Sequence, residues 1–201
     1  MAIDTNALLT IDEAKEFLEV EGNEEDAEIE SLVDAVSFTV EDYTGRKLNS
    51  RAYTSELFSG TGTQWLRLRE YPVTAVASVD TLSGVGSSGA TWQSEDITNL
   101  INLDAVEADR SRGKLFWRDH AFPLGTANVR ITYTAGFTAL PPQLKRGVRG
   151  VLGWYRRQQD RHAVGVVSRS FSGQSEAVRV DDRKLPADVR LMLDPFKRWA
   201  A

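Results

Sequence analysis

The sequence has no cysteine and only two histidines. Without cysteine there is no disulfide framework, no thiolate metal site and no cysteine nucleophile. That absence fits a reducing compartment and equally a protein indifferent to redox state. The histidines, His120 and His162, are too far apart in sequence to make a zinc-ligand spacing. No apolar run approaches the ~20 residues that span a bilayer. The opening stretch, MAIDTNALLT, lacks the basic flank and apolar run of a secretory leader. Phosphate loops are also missing. Gly60-Thr61-Gly62 has no Gly-Lys-Ser/Thr behind it and no helix after it, so it reads as a hairpin turn, and the Gly/Ser stretch 84–89 fails in the same way. Residues 21–26 are acidic but lack the alternating oxygen ligands and central glycine of a calcium loop. No cofactor and no enzymatic activity are expected from such a chain.

What remains is an ordinary globular composition. Of 201 residues, 41% are hydrophobic and 26% charged, the balance of a folded soluble protein. The length suits one or two domains that bury roughly 70% of the unfolded surface. The formal net charge of −5 conceals a gradient. Residues 1–50 hold 3 Lys and Arg against 14 Asp and Glu, a balance of −11. Residues 51–140 hold 8 against 9, and residues 141–201 hold 13 against 6, a balance of +7. An acidic beginning and a basic end are either solvated helix faces or charged faces that meet each other or a partner.

Local patterns predict the elements. Thr10-Ile11-Asp12-Glu13 is a capping box for a first helix that Gly22 stops. A second helix is predicted from near Asn23, with acidic residues in its first turn and Ile29, Leu32, Val33, Val36, Val40 and Tyr43 at helical spacing. Gly45 suits its C-terminal cap. From Arg51 the period changes to that of strands, predicted over 52–58, 65–68, 73–82, 114–117 and 128–134, with one short strand and a turn within 91–109. Trp92, Trp117 and Phe122 are core or contact residues. Pro141 and Pro142 open a third long helix, buried along Leu144, Val148, Val151 and Tyr155. Residues 160–180 read as an extended arm or loose hairpin. A last short helix starts at Pro186, and Pro195 ends or kinks it. The expected fold class is α+β. Residues 1–50 and 138–201 form a helical domain, and a central antiparallel β unit, residues 51–137, is inserted between them.

Three features carry functional readings. The third helix bears Lys145, Arg146, Arg149, Arg156, Arg157 and Arg161. Such a stripe can contact phosphates, but no DNA- or RNA-binding motif frames it. Pairing with acidic helices, of this chain or a neighbouring copy, accounts for it better. Leu185, Val189, Met192, Leu193, Phe196 and Trp199 put much apolar surface on a short terminal segment. Either it closes the chain's own helical core or it docks in a partner's groove. Asp119-His120 sits in a predicted inter-strand loop with no nucleophile motif beside it. A small β-rich binding module or hydrolase using these two residues is the alternative class, and a pocket joining His120 to a buried carboxylate would favour it.

In order and spacing these pieces resemble one family. Leu9-Thr10-Ile11-Asp12-Glu13-Ala14-Lys15-Glu16-Phe17-Leu18 comes first, then the acidic helix ending Val40-Glu41-Asp42-Tyr43-Thr44-Gly45-Arg46. Tyr71-Pro72-Val73, Ile131-Thr132-Tyr133-Thr134-Ala135-Gly136-Phe137 and Leu140-Pro141-Pro142-Gln143-Leu144-Lys145 follow, and Leu185-Pro186 to Trp199 closes the series. The chain resembles the head–tail connector (adaptor) proteins of long-tailed bacteriophages over nearly its whole length. The β region is longer than in compact members.

The resemblance implies a non-enzymatic virion subunit of the neck, assembled in the bacterial cytoplasm. It implies a ring, typically of twelve copies, beneath the portal protein. Such a ring extends the DNA channel without sequence-specific binding and carries a stopper or tail-terminator protein. Carried over to this chain, it implicates Leu185, Val189, Met192, Leu193, Phe196 and Trp199 in portal docking. An arm with Val166, Val167, Phe171 and Val178 lies near the portal or a neighbouring subunit. A ring needs two surfaces that fit head to tail. The expected pair is Glu24, Glu25, Glu28 and Glu41 on one copy against Lys145, Arg146, Arg149 and Arg156 on the next. A DNA-packaging accessory role is a third possibility.

Overall fold

A computed structural model describes residues 6–83, 91–106, 112–160, 169–171, 174–176 and 185–198. The chain divides into two compact units, Met1–Arg46 with Leu140–Ala201, and Lys47–Ala139.

The first unit is helical. Helix α1 (Ile11–Leu18) starts on the predicted capping box: the Thr10 hydroxyl accepts from the Glu13 amide at 3.2 Å and the Glu13 carboxylate accepts from the Thr10 amide at 3.3 Å. It ends sooner than predicted. Glu19 adopts the left-handed conformation at φ 56° and caps the helix itself, three residues before Gly22. Helix α2 (Asp26–Thr44) likewise starts after Asn23, and Gly45 caps it as the sequence indicates. The loop between them is tied down by Lys15. Its ammonium donates to the Gly22 carbonyl (2.7 Å) and the Asn23 side chain (3.1 Å) and pairs with Asp26. Helix α2 buries Ile29, Leu32, Val33, Val36 and Val40 along one stripe. On the same helix the buried Ser37 hydroxyl accepts from the Leu8 amide at 3.0 Å, fixing the segment that leads into α1.

The second unit is built on two antiparallel sheets. One has strand order β1-β7-β3-β4, from β1 (Arg51–Gly60), β3 (Val73–Ser83), β4 (Thr91–Ser94) and β7 (Gly125–Ala135). The other has order β2-β6-β5, from β2 (Trp65–Arg67), β5 (Leu100–Asn102) and β6 (Lys114–Trp117). Among its described residues the 91–109 region therefore holds two strands rather than one, and a helical turn α3 (Leu103–Val106) follows them. One core serves both sheets: Phe58, Val79, Val129, Ile131 and Tyr133 come from the larger, Leu66, Leu115 and Trp117 from the smaller, and Phe122 packs on Trp117 with ring centroids 5.1 Å apart. Trp117 and Phe122 are thus core residues. Trp92 is half-buried on the opposite face, under the Arg130 guanidinium at 4.7 Å.

Two buried polar side chains organise this unit. The Asp104 carboxylate accepts from the amides of Val73 (2.9 Å), Arg112 (2.7 Å) and Gly113 (2.9 Å), so it holds the starts of β3 and β6 together. Asn128 sits where β7 carries extra residues opposite β1. Its side chain accepts from the Gly60 amide and donates to the Pro123 carbonyl, both at 2.8 Å. Removing either side chain strands buried backbone groups. Asp104→Ala should lower unfolding free energy by about 3 kcal/mol or more, and Asn128→Ala by about 1–3 kcal/mol. Urea unfolding followed by tryptophan fluorescence measures both. An unchanged midpoint for Asp104→Ala would mean that the carboxylate is not the clamp described.

Candidate assembly surfaces

Helix α4 (Pro142–Asp160) completes the helical unit. It inserts Leu144, Val148, Val151 and Leu152, all fully buried. Its predicted buried Tyr155 lies at the margin instead, half-buried, with its hydroxyl 2.9 Å from that of Thr39 on α2. The cations on α4 do not wait for a neighbouring copy. Lys145 pairs with Glu13, Arg149 reaches Glu16 at 3.7 Å, and Arg156 bridges Glu25 (2.7 Å) and Glu28 (3.3 Å). The expected inter-subunit set is therefore largely consumed inside one chain. The physical reason is proximity: α4 packs along the same helices that carry the acids, so the nearest counter-charge is intramolecular. Glu41 is buried, and Glu24 and Arg146 are exposed. Burial works to raise the Glu13 carboxyl, but the Lys145 ammonium, the Thr10 amide and Arg149 outweigh it and hold it below its ordinary value of 4.5.

The terminal segment also turns inward. Helix α5 (Ala187–Leu193) lies on α4 where two glycines let it approach closely. A Cβ on Gly147 would stand 2.8 Å from Leu193, and one on Gly150 would stand 3.0 Å from Val189. Leu185, Val189 and Leu193 are consequently core residues of the unit and not a free docking face. Met192 and Phe196 are half-buried, whereas Leu191, which the helical period turns outward, is 71% exposed. Trp199 lies outside the described residues. Asp194 to Phe196, with Pro195 inside it, forms a 3-10 turn. There the Tyr43 hydroxyl donates to Asp194 at 2.7 Å, Lys197 pairs with Asp194 at 3.0 Å, and the Lys197 ammonium lies 4.0 Å above the Tyr43 ring. The Arg198 amide donates to the Thr44 carbonyl at 2.8 Å, so the tail satisfies the end of α2. This Tyr43–Asp194–Lys197 clamp was invisible in the sequence, because its members stand 151 residues apart.

Of the arm, Val166, Val167 and Val178 lie outside the described residues. Phe171 ends β8 (Arg169–Phe171), which pairs antiparallel with β9 (Gln174–Glu176). Asp119 and His120 are exposed, and the His120 ring leans on Trp117 with centroids 5.4 Å apart. Asp96, whose carboxyl is held low chiefly by hydrogen bonds from Thr98 and only slightly by His120, is itself exposed. These residues do not form a pocket with a buried carboxylate. Among the described residues no His, Asp and Glu cluster is arranged to hold a metal ion, and no helix is long and apolar enough to cross a membrane.

The chain thus has a helical unit built from both of its ends and a β unit formed by the segment between them. Residues 7–199 match the family described as head completion protein. The chain belongs to the head completion protein family. Three solved structures share its fold over 100% of its length. They are chains of the neck of an empty gene transfer agent (GTA) particle computed with C6 symmetry (19% identity, TM-score 0.63, 95% of that chain) and of the virion of a native GTA particle (16%, 0.59, 94%), and a chain of the neck of a native GTA particle computed with C12 symmetry (18%, 0.56, 94%). No curated protein matches the sequence.

The charge pairing within the helical unit predicts a specific acid response. Glu13 and Asp194 both have folded-state carboxyls held low, Asp194 through Tyr43 and Lys197. Their contributions are complete above the ordinary carboxylate range and are lost as pH falls through the depressed values. The Lys197 ammonium is held above its ordinary 10.5 by Tyr43 and Asp194, so its share is present below that pH and is lost above it. Lys145→Glu should lower the melting temperature more than Lys145→Ala does, because it sets a second carboxylate against Glu13. Equal losses for the two variants in thermal denaturation would remove the pair from the account.

Proposed function

We propose that this head completion protein is a structural subunit of the neck of a tailed-phage-like particle. In this reading it forms a ring of about twelve copies beneath the portal. The ring extends the DNA channel and offers the platform for a stopper or tail-terminator protein. DNA passes through without sequence-specific contacts. The family match over residues 7–199 carries the reading. Shared fold with neck chains from particles computed with C6 and C12 symmetry supports the ring.

In this reading the portal contact keeps Met192 and Phe196 from the set the sequence named and adds Leu191. With Leu185, Val189 and Leu193 engaged on α4, the outward side of α5 at Leu191, with Met192 and Phe196 at its margin, faces the portal. The arm around Phe171 reaches the portal or a neighbouring subunit.

Cryo-electron microscopy of purified particles carrying the tagged chain tests the placement. A ring at the head–tail junction is expected, and a chain absent from particles or spread over the capsid would overturn the proposal. Leu191→Asp should leave the melting temperature of the free protein nearly unchanged and weaken portal binding roughly tenfold, as loss of a well-packed apolar anchor does. Truncation at residue 184 is a poor test of docking, because it should unfold the helical unit by exposing α4.

A further inference from the structure

The outer face of the smaller sheet is made unlike an ordinary solvated surface. Strand register places Trp65 opposite Phe116 and Phe116 opposite Ile101, so the three side chains form one row across all three strands. The Trp65 and Phe116 rings are 4.4 Å apart, and Trp65 is 49% exposed. Their neighbours Leu66 and Leu115 point the other way into the core. Beside this row Arg67 lies directly opposite Lys114, and both are exposed. Like charges facing each other across an antiparallel pair are destabilising. Neither has an ion-pair partner among the described residues. An aromatic row beside two opposed cations calls for a partner that is apolar at its centre and anionic at its edge.

The loop between α1 and α2 has that chemistry. Glu19, Glu21 and Glu24 are exposed on it, beside the half-buried Val20, and Phe17 at the end of α1 is itself 40% exposed. Lys15 is already committed to the inside of the loop through Gly22, Asn23 and Asp26. It holds the loop in shape without neutralising these three carboxylates, so little ordering entropy remains to be lost on docking. Trp65, Arg67 and Lys114 are exposed on one side and Glu19, Glu21 and Glu24 on the other, so a second copy of this chain offers the complement that the aromatic row and its cations lack.

We propose that the Trp65–Phe116–Ile101 row with Arg67 and Lys114 receives the Glu19–Glu24 loop of a second copy of this chain. The contact is head to tail, the kind that closes into a ring. It deepens the ring reading above and rests on it for its biological setting. Two cations are few for a nucleic-acid surface, where affinity grows with the number of phosphates neutralised.

The chain's lack of cysteine makes the test direct. Glu21→Cys/Lys114→Cys protein is oxidised both at high concentration in solution and within purified particles, and is read by non-reducing gel electrophoresis. A ladder of cross-linked copies is expected, absent from either single-cysteine protein. In parallel, Arg67→Glu/Lys114→Glu and Glu19→Lys/Glu21→Lys/Glu24→Lys should each weaken self-association at least ~10-fold, and a mixture of the two variants should restore pairing between them. No ladder in either setting, or reversal variants that associate as the wild type does, would overturn the inference. So would an oligonucleotide that binds the wild type and not Arg67→Glu/Lys114→Glu while no ladder forms. The neck placement is read separately by microscopy: a ring at the neck without a ladder rejects this interface alone, and a ladder with no chain at the neck rejects the placement alone.

Discussion

The helical unit depends on one closure: the basic helix α4 must come back onto the acidic helices from which it is separated by the whole β insertion. The ion pairs that mark this closure join residues 128 to 133 positions apart. Partly exposed pairs of this kind are each worth only ~0–1 kcal/mol. Burial of Leu144, Val148, Val151 and Leu152 against the stripe of α2 supplies the larger share, at about 1.5–3 kcal/mol per fully buried side chain. The charges choose the register and the partner; the apolar stripe makes the choice stable. Once α4 is seated, Gly147 and Gly150 create the shallow bed for α5, and the tail can reach back to Tyr43 and Thr44.

The same closure reassigns surfaces. Charge used inside the chain is no longer available to a neighbour. The acids that α4 satisfies, Glu13, Glu16, Glu25 and Glu28, leave Glu19, Glu21 and Glu24 as the exposed remainder at the α1–α2 loop. Likewise, burying Leu185, Val189 and Leu193 leaves Leu191 as the prominent apolar group on α5. Any assembly built from this subunit must use what folding leaves over.

Much of the fold class was legible because its signals are local. The capping box at Thr10 and Glu13, the apolar stripe of α2, the glycine at 45 and the switch to strand periodicity at Arg51 each need only a few neighbouring residues. The end of α1 differs from the sequence expectation because a non-glycine residue, Glu19, takes the left-handed conformation, which composition does not reveal. Residues 91–106 were ambiguous because strands of three and four residues are too short to show a period. Strand order was not legible at all: β1 lies beside β7, the last strand of the unit, and β2 beside β6. Of the candidate site residues, the sequence shows which are charged and which apolar, but not which are spent inside the chain, because that depends on how α4 and α5 pack.

By itself the sequence determined the elements, the fold class and the polarity of the chain, acidic at its beginning and basic at its end, because periodicity, capping and charge are properties of neighbours along the chain. It also carried the order of motifs that marks the family. Only the tertiary structure decided which opposite charges meet, which apolar residues of the tail are core, and that Arg67 faces Lys114 beside an exposed aromatic row. Those outcomes depend on distances between residues tens to more than a hundred positions apart, set by strand register and by the close approach of α5 to two glycines.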